Sequence, residues 1–176
     1  DGVQISEGDL AAPLEASPCA FATGVLLPIP GRLAFLDLQN PDRHVEEFLS
    51  PVEEQQKPPA WTSIAAISST EALAITKTGR LSRFQLRSDP QPHLFEVTHL
   101  DLKSPVEFPP LVSEQRALVP SGKQLQWRQV ETWEAEQTAE LSGEISAAPW
   151  SVGGQVFVEL GMLQSADDLF YLTVPE

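Results

Sequence analysis

Apolar positions along this chain come in short runs rather than at helical spacing. Runs at 25–29, 72–76, 116–119 and 155–160 are four to six residues long and rich in strand-forming or small apolar side chains. After a turn, each is followed by a second run, at 31–38, 79–86, 123–130 and 167–174. A leucine near the start of each second run, Leu33, Leu81, Leu125 and Leu169, marks a repeat with spacings of 48, 44 and 44 residues. A third run precedes each pair, at 16–23, 61–68, 108–113 and 145–152, and Pro18, Pro109 and Pro149 sit where a strand can do without an amide donor. More polar segments at 44–49, 93–102 and 134–141 complete the first three units, as suits an outer strand with one free edge. Sixteen prolines and ten glycines, spread throughout, leave little room for helices of ordinary length.

Each unit therefore reads as a four-stranded antiparallel meander joined by short hairpins, and a period of roughly 40–50 residues is that of propeller blades. One such sheet cannot keep water from both faces, whereas sheets stacked face to face about an axis can. The predicted fold is all-β: a propeller segment of about four four-stranded blades at 11–50, 58–102, 105–141 and 143–176. The fourth unit ends before an outer strand, and residues 1–10, with Val3-Gln4-Ile5-Ser6, are a candidate closing strand.

Composition narrows the partners. Hydrophobic residues at 41% and charged residues at 20% describe a globular chain, so wholesale disorder is not expected. Its formal charge of -14 repels phosphate backbones and anionic lipid, so nucleic acid is not an expected partner. No apolar run has the roughly 18–20 residues of a membrane span. A start at Asp1-Gly2-Val3, without Met, reads as a mature product or a segment of a longer protein. Cys19 has no second cysteine to pair with and is expected to pack in the core.

The residues suggest little catalytic chemistry. None of the three histidines has a catalytic context; His93 and His99, six residues apart on a predicted strand, would share a face but stand about 20 Å apart, too far for one metal ion. The pairs Glu46-Glu47, Glu53-Glu54 and Asp167-Asp168 read as solvated charge or turn residues. Neither catalytic nor metal-binding residues are expected. Three equivalent hairpins carry a basic residue after their glycine, Arg32, Arg80 and Lys123, which in register would form a candidate anion- or carboxylate-binding ring on one face. The plain alternative is a long basic side chain on an exposed turn. Trp127 and Trp150 lie inside predicted strands and are expected between blades, whereas Trp133, among acidic residues at a strand junction, is a candidate exposed anchor for a partner.

The order of a small-residue and proline strand, a hydrophobic strand, and a Gly-basic-Leu entry into an aromatic strand resembles the repeats of the PQQ-like, or quinoprotein alcohol dehydrogenase-like, propellers. Its best stretches are Gly31-Arg32-Leu33-Ala34-Phe35-Leu36-Asp37 and Ser121-Gly122-Lys123-Gln124-Leu125-Gln126-Trp127-Arg128. The docking pattern of the family's enzymes, Ala-x-Asp-x-x-x-Gly-x-x-x-Trp, is present only in pieces such as Phe35-Leu36-Asp37, and the quinone and calcium ligands match no position of this chain. The resemblance thus implies the fold without the redox chemistry, and no cofactor. Its seven or eight blades make four about half a propeller, completed by another stretch of chain or by a second copy in an eight-bladed ring. Non-catalytic relatives act as scaffolds, for instance in outer-membrane protein assembly, which implies a protein-binding scaffold outside the cytoplasm, its partner a protein or further blades and a homodimer among the outcomes. The alternatives are an accessory portion of a quinone-dependent dehydrogenase or a sugar-binding propeller. Open blade faces would be large apolar patches, so an unclosed array is not expected to persist as a monomer.

Overall fold

Side-chain alternation along the middle strands decides the architecture, because both faces of those strands are apolar and both must be covered. A computed structural model of the chain describes residues 12–52, 57–102, 104–113 and 115–161, and the backbone of a strand at 170–173. The candidate closing strand and the pairs Glu53-Glu54 and Asp167-Asp168 fall outside these residues. The described residues form strands and no helix, in four antiparallel sheets.

The first sheet consists of β1 (Cys19–Phe21), β2 (Gly24–Ile29), β3 (Arg32–Asp37) and β4 (Phe48–Leu49), neighbours in chain order. The second holds β5 (Trp61–Ala66), β6 (Glu71–Thr76), β7 (Arg80–Arg87) and β8 (His93–Asp101), and the third β9 (Leu111–Ser113), β10 (Arg116–Ser121), β11 (Gln124–Gln129) and β12 (Ala135–Glu140). The fourth has three described strands, β13 (Trp150–Val152), β14 (Gln155–Val158) and β15 (Phe170–Thr173). Each sheet is a plain meander, and the chain is a β-propeller segment of four blades.

The hairpins between second and third strands turn on glycines that only a residue without Cβ occupies cheaply: Gly31, Gly79 and Gly122 have φ of 74°, 92° and 59°. At Gly24, which opens β2, a Cβ would overlap the carbonyl of Leu36 on β3, so this close pairing also requires glycine.

Three apolar clusters fill the three joints between blades. Phe21, Leu26, Leu33 and Phe35 of the first blade meet Trp61, Ala72, Ala74, Phe84 and Leu94 of the second. Leu73, Ile75 and Leu81 meet Ala117 and Val119 of the third, and Leu118, Leu125 and Trp127 meet Val156 and Val158 of the fourth. Phe84, fully buried, packs edge-on to Phe48 at 4.7 Å and to Trp61 at 6.5 Å. The Trp61 indole also donates its Nε1 proton to the carbonyls of Ile29 and Arg32 at 3.1 and 3.0 Å, tying the second blade to the first blade's hairpin. Just ahead of β4, Glu46 forms a parallel bridge with His93 of β8, which links the outer edges of the first two blades.

Two carboxylates are built into this frame. Asp37, at the end of β3, accepts hydrogen bonds from Thr23 Oγ1 at 2.9 Å, the amides of Gln39 and Asn40 at 3.0 and 3.2 Å, and Arg43 at 3.3 Å. Burial disfavours its charge, but these donors outweigh burial and hold the carboxyl below the usual range. Glu71 on β6 is held low chiefly by its hydrogen bonds with Arg83 on β7, assisted by Gln85, against the opposing effect of burial. Both groups have folded pKa values below their unfolded ones. Their contribution is therefore complete above about pH 5.5 and is lost as pH falls through the unfolded and then the folded values. In thermal melts from pH 6 to pH 2, wild type is expected to lose more Tm than Asp37→Asn, which starts lower at pH 6; parallel losses would show that Asp37 does not contribute this way.

Candidate interaction surfaces

The three basic residues of equivalent hairpins lie at the ends of middle strands, away from the innermost strand of each sheet. Arg32 and Arg80 begin β3 and β7, and Lys123 is exposed in the turn before β11. In place of a ring of free cations, the structure pairs two of them within their own blades. Arg32 reaches Glu47 at 3.1 Å, and Arg80 reaches Glu96 at 3.1 Å and Asp101 at 3.6 Å. Each partner precedes or lies on the outer strand, so the arginines lean outward across their sheets, each beside a carboxylate of its own blade. Signs of this were present in the sequence, since every predicted outer strand is rich in carboxylates.

Trp133 is buried, with 4% of its surface exposed, and corrects the expectation of an exposed anchor. The chain reverses tightly at Glu131 and Thr132, and Trp133 takes a left-handed φ of 62°, its amide donating to the Gln129 carbonyl at 2.8 Å. That reversal packs the indole with Val130 into the joint between the second and third blades. A bulky side chain in this conformation costs about 1–3 kcal/mol, which its burial offsets. Trp127 is buried as expected, but Trp150 is 40% exposed and lies parallel to Phe157 at 5.8 Å.

A bulge corrects the histidine geometry. Arg83 pairs with Thr98 and the next residue, Phe84, with Glu96, so Val97 is an extra residue on β8. One inserted residue reverses the alternation beyond it. His93 therefore shares a face with Phe95, whose ring also carries the Arg87 guanidinium at 3.4 Å, while His99 lies on the opposite face between Glu96 and Asp101. Among the described residues no group of three His, Cys, Asp or Glu is placed to hold a metal ion.

Cys19 is half-buried on β1 rather than enclosed in the core. Burial pushes its thiol up, against a smaller opposite effect from the Ala66 backbone, so it is a poor nucleophile at neutral pH. An open cavity of about 590 Å³ lies between Glu15, Trp61, Lys77 and Glu107, a lining of mixed charge at the entries to the inner strands.

The largest exposed apolar features lie at the two ends of the array. Cross-strand partners share a face, so Val25, Leu27, Leu36 and Leu49 all lie on the face of the first blade turned away from the second. Leu36 and Leu49 are 42% and 69% exposed there. On the fourth blade, Trp150, Val152 and Phe157 lie on the face turned away from the third, opposite to buried Val156 and Val158. Val152 is 63% exposed.

Aligning the repeats shows why these positions are apolar. With Leu33 matched to Leu81, Leu36 takes the place of Phe84 and Leu38 that of Leu86, while Val25 and Leu27 take the places of Ala72 and Ala74. In the second blade those positions are covered by the first. Likewise the pair Trp150 and Phe157 matches Cys19 and Leu26, and Val152 matches Phe21, positions that the second blade covers. Among the described residues no apolar cluster joins the fourth blade to the first. Among the described residues, each end presents one half of a blade joint.

No family model and no curated protein matches the sequence. Solved structures do match its fold. The computationally designed Ika4 protein superposes with a TM-score of 0.72 at 9% identity, over 99% of this chain and 100% of its own. BamB from Moraxella catarrhalis superposes with a TM-score of 0.64 at 12% identity, over 91% of this chain and 49% of its own. The β-propeller domain of Myceliophteria thermophila Cps50 (Swd1) gives 0.61 at 13%, over 93% and 53%. The chain thus spans about half the length of these two natural propellers and the full length of the designed one.

The burial of Trp133 is directly measurable. Trp133→Ala is expected to destabilise the fold by about 3 kcal/mol or more in urea unfolding, as for a large core aromatic. A loss below about 0.5 kcal/mol, typical of surface sites, would return this side chain to the surface.

Proposed function

We propose that this chain is a non-catalytic propeller module whose work is assembly: a scaffold that holds protein partners on its uncovered blade ends. The observation that carries this reading is the residue correspondence at those ends. Trp150, Val152 and Phe157 on one side, and Val25, Leu27 and Leu36 on the other, repeat positions that inside the array are packed against a neighbouring blade. Apolar patches of this kind favour association over exposure to water. A formal charge of -14 supports protein over nucleic acid as the partner. The pairing of Arg32 and Arg80 with carboxylates favours apolar recognition over capture of an anion.

A pair of substitutions tests it. Leu36→Asp and Val152→Asp place a charge on each end face at sites already open to water, so stability is expected to change by about 0.5 kcal/mol or less. With strand-type circular dichroism retained, each is expected to abolish most of the protein association seen with the wild-type chain, by cross-linking and by capture on an immobilised chain. Association unchanged in both variants would overturn the scaffold reading.

A further inference from the structure

We infer that the occupant of both end faces is a second copy of this chain, and that two copies close one eight-bladed ring about a twofold axis. The inference rests on the scaffold reading and names its partner.

Three observations converge on a copy rather than an unrelated protein. The first is span: the chain covers 49% and 53% of two natural propeller chains while aligning over more than nine-tenths of itself, so a ring of that length takes about two such spans. The second is polarity. One end presents the face that a blade turns toward its successor, and the other presents the face that a blade turns toward its predecessor. A ring of two copies satisfies both at once, each fourth blade meeting the partner's first, whereas a single unrelated surface covers one end only. The third is volume. Where the internal joint sets Phe21 and Leu26 against Ala72, Ala74 and Phe84, the ends carry Val152 and Phe157 on one side and Val25, Leu27 and Leu36 on the other. Val152 is smaller than Phe21 while Val25 and Leu27 are larger than the alanines, and Phe157 is larger than Leu26 while Leu36 is smaller than Phe84. These two sets of substitutions run in opposite directions across the joint, as they would to keep it filled, while Trp150, larger than Cys19, faces an alanine as Cys19 does.

The correspondence also says which side chains meet. Inside the array the Cys19 thiol contacts the backbone of Ala66, and these positions match Trp150 and Ala20 at the two ends. Trp150 of one copy is therefore set against Ala20 of the other. Ala20 is exposed on the outward face of the first blade, where a tryptophan has room to lie. The acidic charge of each copy opposes the association, so added salt is expected to tighten it.

Sedimentation equilibrium of the 176-residue chain is expected to give twice its 19.3 kDa mass at micromolar concentration, with the dimer tighter at 0.5 M than at 0.05 M salt. Ala20→Asp and Trp150→Lys, each confirmed as folded by circular dichroism, are each expected to weaken the dimer on the order of 100-fold. Mixed together they are expected to re-form a dimer, because one joint is then native and the other sets the introduced lysine against the introduced aspartate. A dimer weakened by only one of the two substitutions would mean that like faces meet, and would overturn the ring. A mass of 19.3 kDa at all concentrations would overturn the second copy outright. In that case capture of another protein that Leu36→Asp and Val152→Asp abolish would leave the scaffold reading standing, and its absence would remove both.

Discussion

Everything in this molecule follows from the inability of one thin sheet to shelter its own apolar side chains. Each blade has apolar residues on both faces of its middle strands, so no blade excludes water without a neighbour on each side. The three internal joints are the response: Phe84 between Phe48 and Trp61, Leu81 opposite the third blade, Trp127 over the fourth. The polar groups serve the same end. Trp61 pins its blade to the hairpin of the preceding one through two carbonyls, and Asp37 ties down the loop that leaves β3.

The same constraint leaves apolar positions open at the ends of the array. A fold built by adding identical joints has no natural place to stop, and its terminal faces keep the chemistry of a joint. Leu36 and Val152 are as exposed as ordinary surface residues, yet they occupy positions that hold Phe84 and Phe21 in the interior. Neighbouring solved structures show the fold alone, at identities of 9–13%. The functional reading therefore stands on the residues of this chain: its uncovered joints, its acidic surface and its paired arginines.

The repeat was legible in the sequence because it is written in backbone requirements. Glycine before Arg32 and Arg80, the marker leucines and the prolines at strand entries each answer a local geometric need, and a local need leaves a trace at fixed spacing. The candidate site was less legible, because exposure and pairing are not local properties. Trp133 sits among acidic neighbours that suggest solvent, and only the reversal at residues 131–133 carries it into a joint between two blades. Arg80 reads as a free cation until β8 brings Glu96 and Asp101 beside it. His93 and His99 keep an even spacing, but the bulge at Val97 places them on opposite faces. Trp150, inside a strand, reads as core and is left uncovered because the sheet that would cover it is not among the described blades.

By itself, then, the sequence determined the all-β class, the number of units, the order of strands in each and the acidic character of the surface, since strand periodicity, turn chemistry and charge count belong to the chain wherever it lies. Tertiary structure alone decided which arginines are neutralised, which tryptophans are hidden and which blade faces stay open. Those outcomes depend on contacts between residues far apart in sequence, as with Trp61 on Ile29, or on a single inserted residue that reverses the alternation of a strand.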